Sequence, residues 1–391
     1  MKTYLYLFTL LLLVSQTIVA QEEKTEEKKE PGNKTILEMI TGKDIIDNSE
    51  MLLHLFTSAN ANFSDSHFDG MKFQLNRVRL DIKGSLMKRL SYFYRQSFNK
   101  DSDPYSLDNA SSSLELAFVN LKASDKLSFS IGKQFVNFGG YEYYVNATKV
   151  REFSEFNSYL SCYQVGLSVN WQINPFHEIL FQAANNQNGE YSEMYANGLP
   201  TGLEKSKIPF IYSVNWNSYY FDKVLQLRYS AALAQQAKGK YAYYLTFGNS
   251  IEKGPLIAYL DIMYTRQDLD QHSIISHLPS TPQTARNTDY LSFIGNIDYR
   301  FHPRWNAYIK GGYETARVYK ANGDFAKGMY RRSWNAQTSL EFYPLKNIDM
   351  FVFLHYTYRG VQLTDHALRM GAYNPDTHRI SLGFVYSIPV F

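Results

Sequence analysis

Arg77, Arg79, Asp81 and Lys83 alternate with Val78, Leu80 and Ile82, and Arg95 follows shortly after. In an extended chain this period of two puts the apolar residues on one face and the charges on the other. A strand face rich in Arg and Lys attracts anions where it borders water, because a low-dielectric wall concentrates its field. Asp81 sits in the middle of the set and neutralises part of it.

The same period recurs throughout the chain from Met51 onward. Sixteen candidate strands lie near 51–63, 72–83, 88–99, 113–123, 126–136, 159–171, 177–186, 209–219, 223–234, 241–249, 255–266, 288–301, 304–315, 330–342, 349–359 and 378–390. Most have the length a tilted strand needs to cross a bilayer, roughly 9–11 residues or slightly more. Short connections, such as residues 302–303 and 220–222, alternate with long ones, such as 100–112, 136–158, 186–208 and 267–287. Short inner turns alternating with long outer loops are the pattern of an outer-membrane barrel, and an even strand count leaves both termini on the inner side. The expected fold is therefore all-β, a transmembrane antiparallel β-barrel of about 16 strands. A soluble β-sandwich has no need of this odd-even asymmetry.

Composition agrees. Tyr and Phe number 32 and 26, hydrophobic residues make up 45% of the chain, and mean hydropathy is nevertheless −0.36. Beyond the first twenty residues no apolar run approaches the ~20 that a membrane helix requires. Tyr92, Tyr94, Tyr243, Tyr299, Tyr356 and Tyr358 suit the aromatic girdles of a barrel. Residues 1–20, with Lys2, an apolar run and Ile18-Val19-Ala20, read as a cleaved secretory signal. Residues 21–50 form a charged periplasmic segment, with a short helix possible at Ile36–Ile40. Residues 51–391 form the barrel. Within 22–50, five Lys face nine Asp or Glu, about −4; with Lys2 at +1 and the chain at +3, residues 51–391 carry about +6. The single Cys162 excludes an intramolecular disulfide and reads as a small wall residue.

If the apolar parity faces lipid, the other parity faces the lumen. That places Arg77, Arg79, Lys83, Arg95, Arg228, Arg300, Lys310, Arg331, Arg359 and Arg379 inside, against Asp81, Glu115, Asp261, Asp298, Glu314 and Glu341. Facing lipid at the midplane would cost an Arg or Lys about 2–4 kcal/mol. Arg77, Arg79, Lys83, Arg95, Arg228 and Lys310 are the candidate pore-lining, anion-attracting residues. Lys133 breaks the rule: the parity of Phe129 and Ile131 sends it toward lipid unless a bulge before Phe135 turns it inward.

The run from Asn76 to Gly84, NRVRLDIKG, and the run from Phe129 to Phe135, FSIGKQF, followed by Phe138-Gly139, resemble segments of the phosphate-selective porin O and P family of Gram-negative outer-membrane barrels. The resemblance spans essentially the whole mature chain. It implies a homotrimer in the outer membrane whose third outer loop, near 136–158, folds into the lumen, with Lys149, Arg151 and Glu152 as constriction candidates. Two features of the family are missing here: a Pro after Gln134, and a dense inward arginine ladder with its lysine cluster. The expected activity is passive diffusion of small hydrophilic solutes with weak anion selectivity, phosphate-type anions included.

The expected partners are outer-membrane lipids and small anionic or polar solutes. An adhesin or assembly role for the outer loops is the alternative, with Glu190, Tyr191, Glu193 and Tyr195 as contact residues. A barrel hydrolase is a weaker one. The chain has neither a Gly-x-Ser-x-Gly nor a His-Glu-x-x-His motif. No catalytic residue, metal site or cofactor is expected, and the dispersal of basic residues over strands argues against nucleic acid.

Overall fold

Hydrocarbon offers no hydrogen-bond partners, so a chain crossing it as strands must pair every backbone N–H and C=O with another strand. The computed structural model meets this by closure. It describes residues 49–100, 112–145, 150–186, 189–346 and 348–390. The signal segment, the charged leader up to residue 48, Lys149 and Phe391 lie outside the described residues.

Sixteen antiparallel strands follow one another around a closed barrel. They are β1 Ser49–Ser64, β2 His67–Met87, β3 Leu90–Ser97, β4 Leu114–Lys122, β5 Leu127–Phe135, β6 Tyr163–Asn174, β7 His177–Asn185, β8 Phe210–Tyr220, β9 Leu225–Ala237, β10 Lys240–Lys253, β11 Leu256–Leu269, β12 Arg286–His302, β13 Trp305–Val318, β14 Gly328–Phe342, β15 Met350–Leu363 and β16 Thr377–Pro389. The barrel shuts where β1 pairs β16, from Leu52 opposite Pro389 to Ser64 opposite Thr377. Every strand expected from the sequence is present, with ends shifted by a few residues.

Two kinds of turn join the strands. β1 and β2 meet at Asp65 and Ser66, both at positive φ (45° and 70°), the conformation that lets a two-residue hairpin follow strand twist. The inner turns are likewise short. Outer connections contain three single-turn helices: α1 Glu155–Ser158, α2 Tyr191–Met194 and α3 Asp365–Leu368.

Alternation holds as expected on most strands. On β10, Ala242, Tyr244, Thr246 and Ser250 are buried inside, while Tyr243, Leu245, Phe247 and Ile251 are exposed on the outer face. β14 sends Arg331, Ser333, Asn335, Gln337, Ser339 and Glu341 inward. The outward face is thus the apolar one, as lipid requires.

β5 breaks the alternation, and Gly132 is the reason. Its φ is +125°, a conformation L side chains rarely adopt, and an added Cβ would lie 2.2 Å from the Ala117 carbonyl oxygen. Ile131 before it is exposed outward. After it, Lys133 is only 6% exposed and borders the lumenal cavity, and Phe135 packs against Tyr143 and Tyr144. One glycine therefore turns a lysine from the lipid side to the water side.

Gly132→Val should remove this turn, because left-handed strain of about 1–2 kcal/mol adds to the steric clash. Folded, heat-modifiable barrel on a cold gel should fall well below wild type. A full-strength folded band would show that the glycine is dispensable.

Candidate functional site

The described residues between β5 and β6, 136–145 and 150–162, lie within the lumen instead of standing outside it. Gly139 and Gly140, at φ +78° and +77°, start the inward path, and an added Cβ on Gly139 would sit 2.7 Å from the Ser230 Oγ. The backbone then aims two amides at Asp261 on β11. Tyr141 N donates to both carboxylate oxygens, at 2.9 and 2.8 Å, and Glu142 N donates at 2.8 Å. A 3-10 turn follows over Glu142–Tyr144. Further along, the amides of Glu155 and Phe156 at the start of α1 each donate to Glu314 on β13 at 2.9 Å. These are helix-start donors with no partner inside the helix, so the barrel wall supplies one. Ser154 caps the same turn by accepting from Asn157 N at 3.2 Å.

The loop's side chains complete the attachment. Glu142 pairs with Lys310, and Lys310 also donates to the Glu152 carbonyl at 2.6 Å. Glu152 bonds Arg359 at 2.8 Å and also pairs with Arg379. Glu155 pairs with Arg331 and accepts from Ser333 Oγ at 2.6 Å. Arg151 donates to Glu341 at 2.8 Å, and its guanidinium lies 5.3, 4.9 and 4.3 Å from the ring centres of Phe56, Phe351 and Phe353. Removing one member of a buried pair of this kind costs about 3–5 kcal/mol, since the partner charge is left without water. Each pair thus resists loosening of the loop. On the neighbouring outer loop His272 packs under Phe156, ring centres 5.2 Å apart, and burial lowers its pKa to about 3, leaving it neutral.

All three described loop carboxylates point to the wall of β13–β16. Among the described residues, an open cavity lies on the other side, between the loop and β1–β6, with a volume near 1160 Å³. At one end it touches Glu50 and Lys83, at the inner ends of β1 and β2; at the other it touches Ser112 and Glu193 in outer connections. The cavity therefore runs the length of the barrel. Arg77, Lys83, Arg95, Lys100 and Lys133 border it, against Glu50, Asp81, Glu115 and Glu193. That is five basic to four acidic groups. The loop contributes Tyr143, Tyr144, Phe153 and Leu160 to the opposite face.

The expected pore residues separate into two groups. Arg77, Lys83 and Arg95 border the open cavity. Arg79 does not: it is 0% exposed and lies 3.1 Å from Asp81. Asp81 gathers it together with Arg95 (2.9 and 2.8 Å) and His54 (3.5 Å), so the carboxylate draws Arg79 into the wall. Arg228 faces inward but stacks on Tyr144 and Tyr141, at 4.3 and 5.5 Å, beneath the loop. Lys310 is buried by its pairing with Glu142 and holds the loop instead of lining a path. Arg151 and Glu152 are on the crossing loop, but they grip the far wall and do not border the open side. Cys162 ends the loop and precedes β6, so it is not a wall residue; burial pushes its thiol up to about 11.

Four site residues escaped the sequence reading. Lys100 lies in a loop that period-two parity does not address. Lys133 needed the glycine turn. Asp261 and Glu314 were placed inward, but nothing in a strand pattern shows that a carboxylate will receive loop amides 119 to 159 residues away.

A closed barrel with an inward loop and a charge-lined cavity defines an outer-membrane channel. The family description of the phosphate-selective porin O and P family matches residues 53–388, and the chain belongs to that family. Solved structures of similar fold include the outer membrane channel DcaP of Acinetobacter baumannii (11% identity, 87% of this chain and 96% of that one, TM-score 0.60). The anion-selective porin from Comamonas acidovorans is another (9%, 87% and 99%, 0.58), as is the trimer form of OmpT, an outer membrane protein of Vibrio cholerae (10%, 87% and 98%, 0.52). At such identities the likeness concerns the fold. Curated proteins give no match.

Glu314→Ala removes two charge-assisted hydrogen bonds to the loop, about 1.5–3 kcal/mol each. The barrel should still fold, and single channels should show larger, noisier conductance as the loop leaves its seat. Unchanged conductance would mean the carboxylate does not hold the loop.

Proposed function

We propose that this outer-membrane porin, a channel for passive diffusion, passes its solutes between the loop and the β1–β6 wall, that the path prefers small anions weakly, and that the chain works as a homotrimer without catalytic activity. The observation that carries this reading is the lining of the cavity: Arg77, Lys83, Arg95, Lys100 and Lys133 outnumber the four carboxylates by one. Basic groups on a narrow, low-dielectric passage raise the local anion concentration.

The preference is weak because most of these charges are answered. Arg95 is held by Asp81, Lys100 by Glu115 at 2.6 Å and Lys83 by Glu50 at 2.8 Å. Phosphate selectivity demands several free donors converging on one oxyanion, and this lining does not gather them. The basic groups of the far wall, Lys310, Arg331, Arg359 and Arg379, are committed to the loop. Trimerisation draws support from the trimer form of the Vibrio cholerae neighbour and from the family. The raised thiol pKa of Cys162 speaks against a thiolate nucleophile in the lumen.

Reversal potential in a planar bilayer under a KCl gradient tests the proposal. Wild type should prefer chloride modestly, and less so at high salt, where screening shortens the reach of the lining charges to about 3 Å at 1 M. Arg77→Glu with Lys133→Glu should reverse the sign. Cation preference in the wild type would overturn the assignment. Native mass spectrometry in detergent should give a trimer; a monomer would remove that part.

A further inference from the structure

The lumenal path is aromatic as well as basic. Phe135, three residues past Gly132, lies 5.9, 5.8 and 5.0 Å, ring centre to ring centre, from Tyr143, Tyr144 and Tyr163. All four border the open cavity, together with Phe93 and Phe153. The charges sit on the same rings: the Arg95 guanidinium is 5.0 Å from the Phe93 ring centre, and the Lys100 ammonium 5.7 Å from that of Tyr163.

Arg77 differs from its neighbours. It borders the cavity, and it makes no hydrogen bond or ion pair among the described residues. Arg95 and Lys100, by contrast, have their carboxylates in place. A guanidinium with its fork available suits a carboxylate, which it can hold with two parallel hydrogen bonds. The rings that line the same cavity offer a ring-shaped body edge-to-face contacts that a bare oxyanion cannot use.

We propose that the path selects aromatic monocarboxylates over inorganic phosphate and over small aliphatic carboxylates, with Arg77 receiving the carboxylate and Phe135, Tyr143, Tyr144 and Phe153 receiving the ring. Hydrated phosphate loses water at an aromatic wall and finds one free guanidinium in return. Benzoate keeps its carboxylate contact and places its ring where water is least needed. The inference rests on the anion-channel reading and names the substrate class for that path.

Block of the KCl current in bilayers, titrated with benzoate, acetate and inorganic phosphate, tests it on the wild-type channel. Benzoate should act at a concentration lower than acetate by roughly fivefold or more, in keeping with ring–ring contacts beyond plain burial. Phosphate should act no better than acetate. Phe153→Leu, which keeps apolar volume but removes a ring, should narrow the benzoate–acetate gap, and Arg77→Gln should weaken both while conductance persists. Equal action of benzoate and acetate in a chloride-preferring channel would overturn this inference alone. Phosphate acting below benzoate would also overturn it. A cation-preferring wild type would overturn both readings.

Discussion

The structure depends on one constraint: in hydrocarbon a backbone amide must find its partner within the protein. Closing the sheet from β1 to β16 satisfies it for the wall and leaves an interior sealed from lipid. Charged residues that cost several kcal/mol outside then belong inside, and the inner face becomes polar by exclusion. The crossing loop faces the same accounting problem, since its amides are also withdrawn from bulk water. Asp261 and Glu314 solve it by receiving the amides of Tyr141, Glu142, Glu155 and Phe156. Wall carboxylates thus serve as the loop's backbone partners.

From this follows a division of the lumen. The loop spends Glu142, Glu152 and Glu155 on Lys310, Arg359, Arg379 and Arg331, so the far wall is electrically quiet. The near wall keeps its basic residues beside water, tempered by Asp81, Glu115 and Glu50. Among the described residues, the loop's other face presents Tyr143, Tyr144 and Phe153. The basic residues that border the open cavity therefore belong to half the barrel, and counting every inward arginine overstates them.

Much of this was legible in the sequence. Period-two apolarity revealed all sixteen strands, and alternate loop lengths revealed the topology, because lipid on one face and water on the other act on every residue of a strand. Arg77, Lys83 and Arg95, which border the cavity, were placed inward by the same rule. What a strand rule cannot see is which inward charges meet one another. Arg79 disappears into a cluster around Asp81, and Lys310 meets a loop carboxylate more than 160 residues earlier in the chain. Lys133 needed Gly132 at positive φ, and a glycine in a strand pattern signals a possible bulge without saying which way the next side chain will turn.

The central claim is that solutes pass between the loop and the β1–β6 wall. Cysteine accessibility tests it most directly: Phe93→Cys on that side and Ser333→Cys behind the loop, each with Cys162→Ser, exposed to a charged methanethiosulfonate reagent during single-channel recording. Stepwise loss of current at position 93 with no response at 333 is the expected result. Block at 333 with none at 93 would place the path on the opposite side of the loop and contradict the account.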